Sequence, residues 1–465
     1  MLAIIIGKAL GVAGRIIGRG SCLPGKIALK ICPQILTRLK LPPLAIAVTG
    51  SNGKTSTVEM ISHILFSTGH TVLYNKEGSN QTDGVATTLL RACTFGGRVK
   101  ADVVLFESDE RYARFTFKEI LPTHFVITNL FRDQISRNGH PEHIFNLIEK
   151  AITGGTCLIL NGDDPLVALF GKTRKEAAST QPQHIESVYV SECGARKAVF
   201  YGSAKGVFSN FYNTSANGTL FKDCPPAKYD DGAFCPNCKH PLNYQYRHYA
   251  HIGSYSCGKC NHSRPSPNHQ ATALLEDAVV LDGEHTVPLT LGAPWEVENI
   301  LAAYTTAATL GIPPEAAASA LRSFTSKAGR VKPLKFGSRE GKLFITKHEN
   351  SQSYNLTLKY LMTQPPHDIL IYVNSISRKY YTSEVSWLWD IDFEMLKSFG
   401  GKIYIAGQYA LDLAYRFLLA DLPDEKYVVV VSDLAAVIRK GTNPLNILTC
   451  FSDREGLIKL IEGEV

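Results

Sequence analysis

From residue 44 onward, short apolar runs alternate with longer stretches whose apolar positions recur every three or four residues. The runs LAIAVTG (44–50), TVLYN (71–75), DVVLFES (102–108), HFVITNL (124–130) and TCLILNGDDP (156–165) each end on polar residues. Helix-like stretches follow at 54–68, GVATTLLRA (84–92) and EHIFNLIEKAI (142–152). Strands of this kind, alternating with helices, predict a parallel, doubly wound α/β sheet. Ligands of such sheets collect at the carboxyl ends of the strands, where Gly50, Glu107, Asn129 and Asn161 fall.

Residues 203–275 break this rhythm and read as an insertion rich in Tyr, Asn, Gly, Cys and His. Sheet-like pattern resumes at AVVLDGEHTVPLTL (278–291), followed by two helices, WEVENILAAYTTAATLG (295–311) and PPEAAASALRSF (313–324). A second alternating series runs through KLFIT (342–346), HDILIYVN (367–374), KIYIAG (402–407), KYVVVV (426–431) and LNILTC (445–450). The expected organisation is an N-terminal helical arm (1–40), a central α/β domain (41–328) holding an insertion at 224–265, and a C-terminal α/β domain (329–465).

The net charge of +7 changes the picture only locally. Lys8, Arg15, Arg19, Lys26, Lys30, Arg38 and Lys40 stand in the arm without one Asp or Glu, and the rest of the chain balances. That distribution argues against a nucleic-acid-binding protein. Two readings of the arm stay open: a cationic amphipathic segment resting on an anionic membrane surface, or a helix packed against the first domain. No run of about 18 apolar residues exists, so no membrane span is expected.

TGSNGKTS (49–56) directly follows a strand and opens a helix. Glycines at 50 and 53 allow a tight turn that aims backbone N–H groups at phosphate oxygens, with the helix N-terminus adding a favourable dipole. Lys54 would reach the β/γ-phosphates and the Thr55 hydroxyl would ligate Mg²⁺. Val48 stands where the strict GxxxxGK[ST] pattern has its first glycine; the competing reading is an incidental glycine-rich turn. Glu107 could bind a metal bridging two phosphoryl groups, or be a solvated strand-end charge.

Of eleven cysteines, four form two CxxC knuckles, Cys235/Cys238 and Cys257/Cys260, with 18 residues between them. Two such turns present four thiolates tetrahedrally, and the spacing is that of a zinc ribbon. Four thiolates close the shell, so the expected site is structural. His240, His248, His251 and His262 lie nearby in sequence and are expected around the site or in solvent; Cys224 has no assigned role. The remaining cysteines are scattered, a reducing-compartment pattern that makes the cytoplasm the default location.

VTGSNGKTST resembles the ATP loop of the Mur ligase family, whose members activate a carboxylate as an acyl phosphate and join an amine to it. GRIIGRGSCLPGKIALK, TNLFRDQISRNGHPE, LNGDDP, CPNCKHPLNY, CGKC and SWLWDIDFE resemble one branch of it, the MurT branch. That branch is the ligase subunit of lipid II isoglutaminyl synthase. The resemblance implies a Mur-ligase-type central P-loop domain with a parallel sheet, an inserted four-cysteine zinc ribbon and a Rossmann-like, MurT-type C-terminal α/β domain. It implies ATP, Mg²⁺ and Zn²⁺ as cofactors. The nucleotide site would comprise Gly50, Asn52, Gly53, Lys54, Thr55, Ser56, Asn129, Asn299 and Arg330, with Asp133 nearby. Lys54 and Glu107 would be catalytic, and Thr55 and Glu107 would hold Mg²⁺. The implied reaction is ATP-dependent amidation of the D-glutamate α-carboxyl in the lipid II stem peptide. Ammonia would come from a separate GatD-like glutaminase in a heterodimer, because no cysteine here sits on a strand-to-helix elbow. The implied location is cytoplasmic, at the inner face of the membrane if the arm touches lipid.

The resemblance weakens at the partner end. Where the family has a stretch like N-x-x-A-D-G-x-D-x-S-W, this chain reads NSISRKYYTSEVSW (374–387), placing Glu384 at the aspartate that completes the glutaminase's Cys-His pair. Glu384 is either that partner acid or a solvated loop carboxylate. KHENSQSYN (347–355) likewise replaces a stretch resembling K-N-P-A-G-F-N. Two alternatives follow: a stand-alone ligase acting on another carboxylate or amine, and a zinc-bearing scaffold without turnover. The intact GKT and Glu107 argue against the scaffold.

Overall fold

The computed structural model describes residues 2–16, 22–75, 79–172, 197–208, 230–290, 293–326, 330–336, 339–347, 349–375 and 385–462. Glu384, Cys224 and the start of the expected insertion lie outside them. Two compact units emerge. The first draws on Met1–Phe131, Pro141–Phe208 and Gly232–Lys327, the second on Arg132–His140, Ser209–Asp231 and Ala328–Val465.

In the first unit the sheet is built from β1 (Leu44–Thr49), β2 (Val72–Tyr74), β3 (Val103–Glu107), β4 (His124–Ile127), β5 (Cys157–Asn161) and β6 (Ala198–Ser203). It continues through β9 (His269–Leu274), β10 (Ala278–Leu281) and β11 (His285–Pro288), after a separate hairpin of β7 (Leu242–Tyr249) and β8 (Ile252–Cys257). The order is β11-β10-β9-β6-β5-β4-β1-β3-β2. From β2 across to β9 the neighbouring strands run parallel, and β10 and β11 close the edge antiparallel. β3 and β5 are buried at every position, as expected of parallel strands covered on both faces. β1 lies between β3 and β4, where the chain's direction of winding reverses. Such a switch point opens a crevice at the strand ends.

The arm packs on the first unit. Helices Leu2–Ile16 and Leu23–Ile31 pack against each other and against the helix Thr82–Ala92, burying Ala3, Ile4 and Ala28. Gly25 is required there: a Cβ would collide with the Asp83 carbonyl oxygen, and its own N–H donates to Thr87 Oγ1 at 2.8 Å. Leu2, Ile5 and Val12 face outward. No helix among the described residues is long and apolar enough to cross a membrane.

The second unit holds β12 (Val331–Phe336), β13 (Arg339–Thr346), β14 (Asp368–Tyr372), β15 (Ile403–Ala406), β16 (Tyr427–Val430) and β17 (Leu445–Cys450), ordered β12-β13-β17-β14-β15-β16. β12 and β13 form an antiparallel hairpin and the rest is parallel. Residues 132–140 join this unit through Asp133, which accepts from Asn350 Nδ2 at 3.0 Å and pairs with Lys347 at 3.2 Å. Arg132 pairs with Asp231 and Asp390.

Candidate functional site

The loop Gly50–Gly53 leaves β1 and turns straight into the helix Lys54–Ser67. Both glycines are left-handed, at φ +134° and +84°, and neither tolerates a side chain: a Cβ on Gly50 would strike Thr128 Oγ1, and one on Gly53 would strike Asn299 Oδ1. The segment after β4 pins the loop from beneath. Ser51 N donates to the Asn129 carbonyl and Asn52 N to Asn129 Oδ1, each at 2.8 Å. Thr128 Oγ1 donates to the Asn52 carbonyl at 2.7 Å. Ser51 Oγ accepts from Phe131 N at 2.9 Å and donates to Phe131 O at 3.1 Å.

Lys54 begins the helix and is 6% exposed. Its ammonium bonds the Gly50 carbonyl and pairs with Glu110 Oε1 at 2.5 Å. In the next residue, Thr55 Oγ1 donates to Glu107 Oε2 at 2.8 Å. Glu107 ends β3 in a fixed pose: Asn75 bonds both its backbone N–H and its carbonyl at 2.9 Å, and Asn80 Nδ2 donates to its Oε1 at 3.2 Å. A cationic head, a hydroxyl and a carboxylate thus converge on the N-terminal end of one helix. This arrangement could hold phosphoryl groups and a divalent cation between Thr55 and Glu107. Ser56 is half-buried in the same first turn. Asn299 reaches the loop from the helix Pro294–Thr309, with Oδ1 at 3.4 Å from Thr57 Oγ1.

Gly50, Asn52, Gly53, Lys54, Thr55, Ser56, Glu107, Asn129 and Asn299 all belong to the first unit. Arg330 and Asp133 belong to the second. Arg330 is exposed there, its carbonyl accepting from Ile345 N at 2.8 Å. The sequence pattern missed Glu110, Asn75 and Asn80. Glu110 follows Glu107 by three residues in ESDE, which was its one visible signal. Beside Asn299, Glu298 is buried, and its Oε2 has no partner among the described residues. Burial, with Asp163 and Asp164 adding to it, pushes its carboxyl up to about 8 against hydrogen bonding from Tyr249.

The four knuckle sulfurs lie within 4.8 Å of one another, with Cys235–Cys260 and Cys238–Cys257 at 3.5 Å. Four thiolates bound tetrahedrally at about 2.3 Å from zinc stand about 3.8 Å apart, so these cysteines fit that ion. The knuckles are built alike. Lys239 and Asn261, each directly after a CxxC, have positive φ, and Cys235 N and Cys257 N donate to the carbonyls of His240 and His262, each at 2.7 Å. The side chains of His248, His251 and His262 are buried rather than solvated, and none joins the sulfur cluster. His262 Nε2 lies 2.8 Å from Pro165 O, and burial drives this ring down to about 4, so it is neutral. Lys172, 3.1 Å from His262 Nδ1, is lowered by burial while the thiolates of Cys260, Cys235 and Cys257 oppose that shift.

Residues 48–197 match the Mur ligase middle domain and residues 348–452 the MurT ligase C-terminal domain. Two curated relatives are named lipid II isoglutaminyl synthase (glutamine-hydrolyzing) subunit MurT. The one from Staphylococcus aureus is 28% identical over 439 residues, covering 93% of this chain and 90% of the relative. The one from Streptococcus pneumoniae is 28% identical over 453 residues, covering 95% and 91%. Among solved structures, a pseudomurein peptide ligase type C from Methanothermus fervidus superposes with a TM-score of 0.67 at 21% identity, covering 92% of this chain and 80% of that one.

Proposed function

The chain belongs to the Mur ligase family, with the C-terminal domain of its MurT branch, and from that premise we propose that it is the ligase subunit of a glutamine-dependent lipid II amidating enzyme. The observation that carries this reading is the convergence of Lys54, Thr55 and Glu107 at the head of one helix, with Thr55 and Glu107 already 2.8 Å apart.

In this reading ATP lies along the glycine loop. Lys54 exchanges Glu110 for the β/γ-phosphates, and Asn299 meets the base end. Thr55 and Glu107 would hold Mg²⁺, which neutralises charge on the phosphoryl oxygens. An α-carboxylate oxygen of the D-glutamate attacks the γ-phosphorus, the bond to the bridging oxygen breaks and ADP leaves. Ammonia then attacks the acyl carbon, phosphate leaves and the spare proton passes to solvent, giving the amide. Lys54 acts by holding positive charge where negative charge accumulates.

A separate GatD-like glutaminase supplies the ammonia. Cys450 ends β17 shortly before a helix, but it is buried against Tyr354 at 3.1 Å, and burial pushes its thiol up to about 12. That is no nucleophile. The proposed location is the cytoplasm, at the face of the membrane. The outward Leu2, Ile5 and Val12, together with the arm's excess of basic residues in the sequence, support contact with an anionic lipid surface.

ATP turnover with lipid II tests the reading. Ammonium ions should elicit ADP and amidated product from this chain alone, and glutamine should do so only with the glutaminase. Phosphate release under neither condition would remove the proposal; amidation of another acceptor without a partner would favour the stand-alone ligase.

A further inference from the structure

The ribbon is no detached module. The strand-joining end of its hairpin, Tyr249 to Gly253, is buried and planted behind the phosphate loop. Phe131, whose backbone grips Ser51, stacks on Tyr249 with ring centroids 6.1 Å apart and lies 4.6 Å from the His251 ring. His251 Nε2 stands 3.4 Å from Asp164 Oδ2, and that same oxygen accepts from Leu130 N at 2.8 Å. Asp164 Oδ1 meanwhile caps the short helix Pro165–Ala168. Asp164 is fully buried, so each of these donors offsets the cost of desolvating its charge.

The ribbon grips the segment 161–165 at further points. Gly253 N donates to Asp163 O at 2.9 Å, Tyr255 OH to Gly162 O at 3.3 Å, and Arg264 pairs with Asp163 at 2.5 Å. His262, whose carbonyl accepts from Cys257 N, meets Pro165. A continuous set of buried bonds therefore leads from a cysteine knuckle through residues 161–165 to residues 129–131, and from these to the amides of Ser51 and Asn52.

From this path we infer that the ribbon hairpin is a buttress for the phosphate loop, with His251 and Asp164 as positioning residues that set nucleotide affinity without touching the nucleotide. The inference rests on the nucleotide reading of the loop. Preorganised amides bind phosphate without an ordering cost at the moment of binding, and a loosened loop meets that cost. Coupling through such a network typically changes an affinity by about two- to thirtyfold.

The test uses the full chain as purified and two readouts: the Kd for Mg·ADP and amide hydrogen exchange at residues 50–53. His251→Ala should weaken Mg·ADP about tenfold and speed loop exchange comparably, at temperatures well below unfolding. His251→Gln, which keeps a donor toward Asp164, should restore most of the affinity even if its melting temperature stays low. Should His251→Ala fail to fold, Tyr255→Phe removes only the bond to Gly162 and should give a smaller loss of the same sign. A chelator that strips the knuckles should reproduce the faster loop exchange. Wild-type affinity together with wild-type loop exchange in these variants would overturn the inference. Absence of Mg·ADP binding in the wild type would instead overturn the nucleotide reading, while loop exchange would still decide whether the buttress exists.

Discussion

At the scale of single residues, the Lys54–Glu110 pair makes a sharper prediction than the loop motif alone. Both side chains are nearly buried, so Lys54→Met takes the lysine's counter-charge away from a carboxylate that water hardly reaches. We expect a loss of about 3 kcal/mol in stability by denaturant unfolding, and turnover at least ~100-fold down. Adding Glu110→Gln should recover most of the stability and none of the turnover. Full recovery of turnover would contradict the role given to Lys54. Glu298 predicts a pH dependence. The folded chain keeps its proton up to about pH 8, whereas an unfolded carboxyl releases it near 4.5, so the folded state binds more protons across that interval. Its contribution to stability is therefore present at low pH and lost as pH rises toward 8. Glu298→Gln should flatten the slope of stability against pH by up to ~1.4 kcal/mol per pH unit. An unchanged slope would mean that Glu298 titrates normally. Lys54, Thr55 and Gly53 were legible because their spacing behind a strand carries the chemistry. Asn75, Asn80 and Glu110 were not, since what makes them matter is the sheet order that sets the ends of β2 and β3 together.

At the scale of elements, the ribbon is the piece most exposed to test. Cys257→Ser should take zinc from about one per chain toward zero by elemental analysis and lower the melting temperature. Unchanged metal content would contradict a four-cysteine site. Most parallel strands were visible as apolar runs ending in polar residues, because β3, β5, β14 and β17 are buried on both faces. β6 was not, and β9, half-buried at most positions, lies within the stretch 203–275 that reads as an insertion but belongs to the main sheet. β12 was invisible: VKPLKF alternates, carries Pro333 and sits at the expected domain boundary, so only its hairpin partner β13 makes it a strand. The arm's charge argued equally for lipid and for packing. The packing depends on Gly25, which lets two helices approach within backbone contact, a property no charge pattern reveals. The hairpin end of the ribbon was equally hidden, because Tyr249 and His251 matter through Phe131, more than a hundred residues earlier.

At the scale of the whole molecule, the chain has the parts of an activating enzyme and lacks, among its described residues, an accessible cysteine on an elbow for releasing ammonia. Under the proposed function glutamine should be inert with this chain alone and become a nitrogen source when a glutaminase is added, while ammonium ions bypass the requirement. Co-purification in a one-to-one complex checks the same point physically. In that proposal, residue, element and molecule all serve the transfer of a phosphoryl group to a carboxyl oxygen. The most direct measurement is the fate of that oxygen: lipid II labelled with ¹⁸O in the D-glutamate α-carboxyl, amidated with ammonia and ATP, and the released phosphate weighed by mass spectrometry. Passage through an acyl phosphate puts one ¹⁸O into each phosphate formed with product. Amide formed while the phosphate stays unlabelled would contradict the account.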